Sequence, residues 1–412
     1  LESPTRTEIA GNPAKLHGTV KTSSMHLISG SGFSFRPKAS VGADGTKDLK
    51  KSNIAHRQPD ILDRNGVMIA TNVPTTSLYV DSTRVKNPES IAVQLCSILY
   101  DLEYEDLYKI LTSKKKFAWI KRHLTPRELL AIKNAGVPGV NFYDDVKRIY
   151  PHNNLFSHML GYTDIDGKGI AGIEAYISNQ CHNTTRGHVQ LSLDARVQSI
   201  VHQKLSKAVS RYQALGGVGI VLSVKNSEII SMVSLSDFNS NLQSKAKDIQ
   251  KFNRASLRVY EMGSVIKFFT IAAALDANVV KTDDLYDISD PITIEKSKIA
   301  AKLGIEKQVE YFKAMKLFSN LRIEVPEQSM PIVPDKWSKS TLITAFYGYG
   351  IAITPMHIAQ TAAALVNDGI FHNATLILNK KTIGEQIVAE GTSKEIKKLL
   401  RAAVTDGTGR LT

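Results

Sequence analysis

The sequence predicts an α+β fold in which an antiparallel sheet carries helices on both faces. Three observations support this prediction. Two apolar runs, 217–224 and 228–234, are separated by Lys225-Asn226-Ser227, a spacing typical of a β-hairpin. A helical pattern from Ala195 to about residue 212 precedes the hairpin, and a long apolar helical run follows Ser264.

The earlier part of the chain alternates short strands and helices. Residues 63–66, Asp-Arg-Asn-Gly, predict a turn between two short strands. A Thr-Pro pair at 125–126 is a typical helix start. We predict strands at 76–81 and 189–193, and helices at 88–100, 105–112 and 125–135.

Composition indicates a globular protein of two or three domains. The 412 residues are 42% apolar and 22% charged, and 52 basic against 39 acidic residues give a formal charge of +13. Such a charge suits an anionic partner, for example a membrane surface or a nucleic acid. The lysines are scattered, with Lys114–Lys116 as the only tight cluster, so we predict non-specific attraction and no nucleic-acid partner.

Residues 1–55 have little periodicity, and we expect them to form a flexible lead-in. No run approaches the ~18 apolar residues of a membrane span, and no signal peptide is visible. Since the chain begins at Leu1 rather than at a methionine, we expect a fragment. Cys96 and Cys181 are too few for a disulfide scaffold or a cysteine-rich zinc site, and their redox state stays open. Cys96 lies in an apolar helical pattern and is predicted to be a core residue.

Ser264 and Lys267 are the candidate catalytic residues. Gly263 can end the approach loop at an unusual backbone angle, and Ser264 can cap the helix that follows. The three-residue spacing places Lys267 on the same helical face as Ser264, where its amine can take the hydroxyl proton. Burial at the helix start would favour the neutral amine that this step needs. The positive end of the helix dipole would favour an oxyanion.

The Ser-x-x-Lys pattern is weak by itself. It also occurs at Ser113 with Lys116 and at Ser244 with Lys247, both in lysine-rich polar stretches that indicate solvated surface. We predict no metal site and no cofactor. The histidines at 152 and 158 could form a metal-binding pair, but no third ligand lies at a usual spacing from them. For His158 we predict a buried hydrogen bond instead.

Several ordered blocks of this sequence resemble those of the class B penicillin-binding proteins, and the division-specific type, a septal peptidoglycan D,D-transpeptidase, is most similar. The likeness runs from about residue 55 to the end. The blocks are Asp-Ile-Leu-Asp-Arg-Asn-Gly at 60–66, Arg-Ile-Tyr-Pro at 148–151, His-Met-Leu-Gly-Tyr at 158–162, Gly-Ile-Ala-Gly-Ile-Glu at 169–174, Tyr-Glu-Met-Gly-Ser-Val-Ile-Lys at 260–267, Phe-Tyr-Gly-Tyr-Gly-Ile-Ala-Ile-Thr-Pro-Met-His-Ile-Ala at 346–359 and Leu-Val-Asn-Asp-Gly at 365–369.

The resemblance implies an N-terminal pedestal of the dimerisation type at 56–185 and a transpeptidase domain at 186–412. Ser264 would attack the D-Ala-D-Ala carbonyl of a peptidoglycan stem peptide, and Lys267 would accept its proton. Beta-lactams would acylate the same serine. The pedestal would contact membrane proteins of the division complex. The resemblance further implies that the protein is located at the bacterial inner membrane, with both domains on the periplasmic side.

The sequence also departs from the family pattern. No Ser-x-Asn motif occurs; Ser297 is near its expected place as a substrate-binding residue, but Ile299 stands where asparagine is expected, after a shortened connection. Lys-Thr-Gly is missing too, and Lys381-Thr-Ile-Gly precedes a predicted helix instead of lying in an edge strand. We therefore expect the C-terminal part of the domain to be missing and the sheet to keep an unpaired edge. We also expect the membrane anchor that the resemblance implies before residue 55 to be absent from this chain.

Three functions remain open at this point. The first is a transpeptidase whose activity in this chain alone is weak or absent. The alternative is a catalytically inactive scaffold of the division complex. A penicillin sensor or a beta-lactamase relative ranks last, because no carboxylate for deacylation is evident.

Overall fold

The computed structural model describes residues 58–180, 187–284 and 298–407. The predicted lead-in at 1–55, Cys181 and Ser297 lie outside these ranges. Up to residue 180 the elements are β1 (Asp60–Leu62), β2 (Met68–Val80), α1 (Pro88–Cys96), α2 (Tyr104–Leu111), β3 (Ala118–Leu124), α3 (Pro126–Ala135), β4 (Val140–Ile149), α4 (Ser157–Leu160), β5 (Tyr162–Thr163), β6 (Gly169–Ala171) and α5 (Gly172–Gln180).

The second part of the chain carries the remaining elements. They are β7 (His188–Gln190), α6 (Ala195–Arg211), β8 (Gly217–Leu222), β9 (Ile229–Leu235), α7 (Asp248–Lys251), α8 (Ile266–Asp276), α9 (Lys298–Leu303), α10 (Ile305–Ala314), α11 (Lys339–Phe346), α12 (Pro355–Leu365), β10 (Ile370–Phe371), β11 (Glu385–Gln386) and α13 (Glu390–Thr405). This mixture of sheets and helices confirms the α+β prediction.

The long strand β2 organises the N-terminal sheet. It pairs antiparallel with β1 at its start, with β3 on one side of its second half and with β4 from Thr71 to Val80 on the other side. The turn at 63–66 joins β1 to β2, as predicted. Strand β7 pairs in parallel with β1, so this sheet includes a strand from beyond residue 185. The domain boundary at 185 stays a prediction.

Sequence reasoning missed β3 and β4. Strand β4 reads Val-Asn-Phe-Tyr-Asp-Asp-Val-Lys-Arg-Ile, and only two of its ten residues are buried. Such a strand lacks the clean alternation of a half-buried strand, and its long register with β2 defines it instead. Helix α1 ends at Cys96 rather than at residue 100, because Ser97 and the residues after it form turns.

A compact apolar core supports the N-terminal sheet. Cys96 is half-buried at its edge, with Sγ 3.7 Å from the carbonyl oxygen of Leu102, as expected of a small core residue. Thr125 and Glu128 form the capping box that starts α3. The core residues are Leu78, Val80, Ile91, Ala92, Leu95, Leu99, Leu107, Leu111, Ile120, Leu124, Ile132 and Val137.

The hairpin β8–β9 is packed between helices. A Cβ on Gly217 or Gly219 would touch side chains of α6, so the odd-numbered positions of β8 face that helix. Ile220 and Leu222 point to the opposite face, where they line a groove with α8 and α12. Helices therefore cover both faces, as predicted. Of the helices that the structure describes, none is long and apolar enough to cross a bilayer.

Candidate active site

Ser264 lies on a tight turn directly before a buried helix. The turn, Gly263–Val265, is a 3-10 helix, and Gly263 has the predicted unusual angle with φ of 56°. Helix α8 follows at once and buries Ile266 and Phe269 in the core. The prediction that Ser264 caps α8 is wrong: Val265 occupies the N-cap position and no side chain bonds to the first turn. The 3-10 turn continues directly into the helix, and Ser264 is exposed.

The segment after α11 fixes the position of this turn. The Gly263 N–H donates to the Gly348 carbonyl oxygen at 3.3 Å. Tyr260 and Ile353 exchange two backbone hydrogen bonds, of 2.9 and 3.0 Å. The Gly350 N–H donates to Glu261 Oε1 at 2.7 Å. The block at 346–354 thus fixes the loop that carries Ser264 through these hydrogen bonds.

Gly348 allows the closest of these contacts. Its φ is +78°, and a Cβ built there would lie 2.1 Å from the Gly263 carbonyl oxygen. Only glycine permits two backbones to meet at this distance. The block at 346–354 contributed to the family resemblance, but its sequence predicted no contact with the turn that carries Ser264. The glycines at 348 and 350 were the signal that could have indicated it.

Lys267 lies one turn after Ser264, as its spacing requires, and is half-buried. Its Nζ lies 4.8 Å from the centroid of the Tyr347 ring. No hydrogen bond joins the Ser264 hydroxyl to this amine in the structure. The catalytic pairing of the two residues therefore stays a prediction, and Tyr347 is a contact that sequence reasoning did not anticipate.

The region of the expected second motif is apolar where the structure describes it. Ile299 in α9 packs against Phe346, together with Ile305 and Tyr347. Ser297 lies outside the described residues. Ile299, which stands where the family has the asparagine of Ser-x-Asn, therefore belongs to an apolar cluster. Another member of this cluster, Tyr347, contacts Lys267.

An open groove borders the same turn. It has a volume of about 530 Å³ and lies between β8, α8, α12 and α13. Val265, the neighbour of Ser264, is one of its walls. Among the described strands β8 pairs only with β9, so its other edge lies open here. Residues 381–384 lie between β10 and β11, outside any strand, as expected. The lining residues are Ile220, Leu222, Val224, Val265, Phe268, Ala359, Ala362, Ala363, Val366 and Leu400.

His158 has a structural role. His158 is buried, and its Nε2 lies 2.8 Å from the Gln250 carbonyl oxygen, which confirms the predicted buried hydrogen bond. Burial lowers the pKa of His158 to about 4. The described part of the chain contains no cluster of three or more His, Cys, Asp or Glu side chains arranged to bind a metal.

Comparison with known families agrees with this arrangement. The penicillin-binding protein dimerisation domain matches residues 57–207. The penicillin-binding protein transpeptidase domain matches residues 217–297 and 293–412. The chain belongs to the class B penicillin-binding proteins. The two transpeptidase matches meet at 293–297, where the sequence indicated a shortened connection.

Curated class B proteins are similar along most of this chain. A probable peptidoglycan D,D-transpeptidase FtsI of Caulobacter vibrioides is 31% identical over 85% of this chain and 65% of its own length. A probable peptidoglycan D,D-transpeptidase PenA of Neisseria meningitidis is 28% identical, over 85% of this chain and 70% of its own. Stage V sporulation protein D of Bacillus subtilis is 26% identical over 85% and 66%. This chain thus spans about two thirds of the length of these relatives.

Proposed function

We propose that this protein is a peptidoglycan D,D-transpeptidase that cross-links stem peptides during cell division. The observation that carries the proposal is the exposed Ser264, held on a braced turn at the start of α8 one turn before Lys267. The names of the FtsI and PenA relatives support the same reaction. By family, the two domains would act on the periplasmic side of the bacterial inner membrane and contact division proteins there.

In the proposed reaction, Ser264 Oγ attacks the carbonyl carbon between the two D-alanines of the stem peptide. Its proton passes to the Lys267 amine and then to the nitrogen of the departing D-alanine, while the C–N bond breaks. An amine from a neighbouring strand then attacks the acyl-enzyme and releases Ser264. Beta-lactams would acylate Ser264 by the same attack. Ser297 is kept as a candidate contact for the stem peptide.

A fluorescent penicillin tests the nucleophile directly. We expect the wild-type chain to give a covalent band on a denaturing gel and Ser264→Ala to give none. Ser244→Ala is the matched control, because Ser244 also begins an exposed Ser-x-x-Lys pattern. Its band should equal that of the wild type. A band that survives Ser264→Ala would remove this serine as the nucleophile.

A second function, a catalytically inactive scaffold of the division complex, is favoured by one observation. The Lys267 ammonium contacts Tyr347 and makes no hydrogen bond with the Ser264 hydroxyl. If the wild-type chain gives no band while it is folded, the scaffold function is the better assignment. Rapid hydrolysis of free lactam would instead indicate a beta-lactamase relative.

A further inference from the structure

The contact between Lys267 and Tyr347 is a cation–π interaction. The ammonium nitrogen lies 4.8 Å from the ring centroid, within the ~6 Å over which the negative face of an aromatic ring attracts a cation. Lys267 forms no ion pair with any described residue. Within the described chain, the ring is thus the group that stabilises its positive charge.

The ring packs against Phe346, and the backbone next to it is anchored. Phe346 meets Tyr347 edge to face, with ring centroids 4.9 Å apart, and Ile299 and Ile305 pack against Phe346. The next residue, Gly348, is in backbone contact with the turn that carries Ser264. The position of the ring relative to Ser264 therefore depends on these contacts as well as on the side-chain rotamer of Tyr347.

We propose that Tyr347 is a positioning residue that holds the Lys267 side chain against its ring, away from the Ser264 hydroxyl, in the resting protein. This inference rests on the proposed function, in which Lys267 is the proton acceptor. Ile299 offers no polar atom that could draw the Lys267 side chain off the ring. To act, Lys267 must leave Tyr347, so the contact restrains acylation of Ser264.

The size of the restraint follows from the interaction. A cation–π contact at a partly desolvated site is strong enough to lower the population of Lys267 side chains that are free of the ring by roughly 3- to 30-fold. Tyr347→Leu removes the ring while keeping an apolar side chain. Tyr347→Phe keeps the ring face and removes only the hydroxyl.

Acetylation of lysines by acetic anhydride, followed by mass spectrometry, measures this effect at Lys267 without any need for enzymatic turnover. Only the neutral amine reacts. We expect Tyr347→Leu to raise the acetylation rate of Lys267 by roughly 3- to 30-fold, because the amine is no longer held against the ring. Tyr347→Phe should stay within about twofold of the wild type. Lys225, exposed on the β8–β9 connection, serves as the internal standard.

Tyr349→Leu is the matched control. Tyr349 is in the same loop and is 56% exposed, and Lys267 lies over the Tyr347 ring instead. This variant should leave the Lys267 acetylation rate unchanged. An unchanged rate in Tyr347→Leu would overturn the inference. A rise of the same size in Tyr347→Phe would also overturn it, because that variant keeps the ring face.

A measurement on the wild-type chain covers the case in which Tyr347→Leu does not fold. In protein labelled with 13C-lysine, the ring should shift the Lys267 ε-proton signal upfield, and Lys267→Arg identifies that signal by its loss. If no such upfield signal exists, the ring contact is absent in solution and the inference fails.

Penicillin labelling separates this inference from the proposed function. Suppose that the wild-type chain gives no band but that Tyr347→Leu raises the Lys267 acetylation rate as expected. This result would refute the transpeptidase function and retain the Tyr347 contact. If the wild type is labelled, Tyr347→Leu should acquire its band faster. A slower band in this variant would contradict the restraint.

Discussion

The buried carboxylate of Asp63 accepts a hydrogen bond of 3.0 Å from the N–H of Ala195, the first residue of α6. Its other oxygen accepts from the backbone N–H groups of Asn65 and Val67. Asp194 caps the next two N–H groups of the helix. Two carboxylates thus share the positive end of one helix, and the turn after β1 is fastened to the helix that packs on the β8–β9 hairpin.

Replacing Asp63 should therefore destabilise the protein strongly. Asp63→Ala leaves three backbone N–H groups without their acceptor, and we expect a loss of about 3 kcal/mol in the free energy of unfolding. Asp60→Ala is the control, since the half-buried Asp60 accepts one side-chain bond, from Thr71, and should cost about 1 kcal/mol. Urea unfolding measures both. Equal losses would show that the Asp63 bonds to the helix contribute little.

The two glycines beside the turn that carries Ser264 allow backbone strain to be distinguished from steric conflict. Both have a positive φ, +78° at Gly348 and +75° at Gly350. The nearest atom to a Cβ on Gly350 is 3.6 Å away, whereas on Gly348 it is 2.1 Å away. We expect Gly350→Ala to cost about 1–2 kcal/mol from the left-handed backbone alone. Gly348→Ala should cost more and displace Ser264.

Thermal unfolding and the rate of penicillin labelling measure this pair of variants together. The Gly348→Ala chain should label more slowly than Gly350→Ala even at a temperature where both are folded. Identical labelling rates would mean that the Gly263–Gly348 contact does not position the serine.

His158 should make stability depend on pH. Burial lowers its pKa to about 4 in the folded protein, while the unfolded value is about 6.5. The unfolded chain therefore takes up a proton between these values and the folded chain does not. Stability is fully present above about pH 6.5 and falls as the pH drops towards 4, by about 2 kcal/mol between pH 7.5 and 5.

His158→Gln tests this dependence, because an amide can still donate to the Gln250 carbonyl oxygen without titrating. The variant should lose less stability than the wild type between pH 7.5 and 5 in urea titrations. His152→Gln, on a half-exposed histidine of the same segment, controls for the removal of a histidine. A wild-type slope retained in His158→Gln would assign the pH dependence to other groups.

A buried ion pair ties β4 to α5. Arg148 Nε lies 2.7 Å from Glu174 Oε1, and both side chains are nearly inaccessible to solvent. We expect Glu174→Ala to cost about 3–5 kcal/mol, because it leaves a buried guanidinium unpaired. The double variant Arg148→Met with Glu174→Leu should cost clearly less than the sum of the single changes.

The exposed pair of Lys394 with Glu390 on α13 is the control for this cycle. Its atoms are 2.6 Å apart, but both side chains are 62% exposed. Glu390→Ala should change the free energy of unfolding by less than about 1 kcal/mol. If Glu174→Ala were as mild, the Arg148 pair would not be a determinant of stability.

The sequence by itself determined the hairpin, the helix from 195, the turn at 63–66 and the Thr-Pro helix start at 125–126, because turn residues, caps and local periodicity specify such elements within a few residues. It also indicated Ser264 and Lys267, since their spacing on one helix is a local property. The family resemblance was carried by the same short blocks.

Only the tertiary structure decided which of these elements contact one another. Strand β4 has a largely polar sequence and becomes a strand through its long register with β2. The contact of Gly348 with Gly263 and the position of Lys267 over Tyr347 join residues about 80 apart in sequence. Contacts of this kind depend on how separate elements pack, and periodicity within one element carries no information about them.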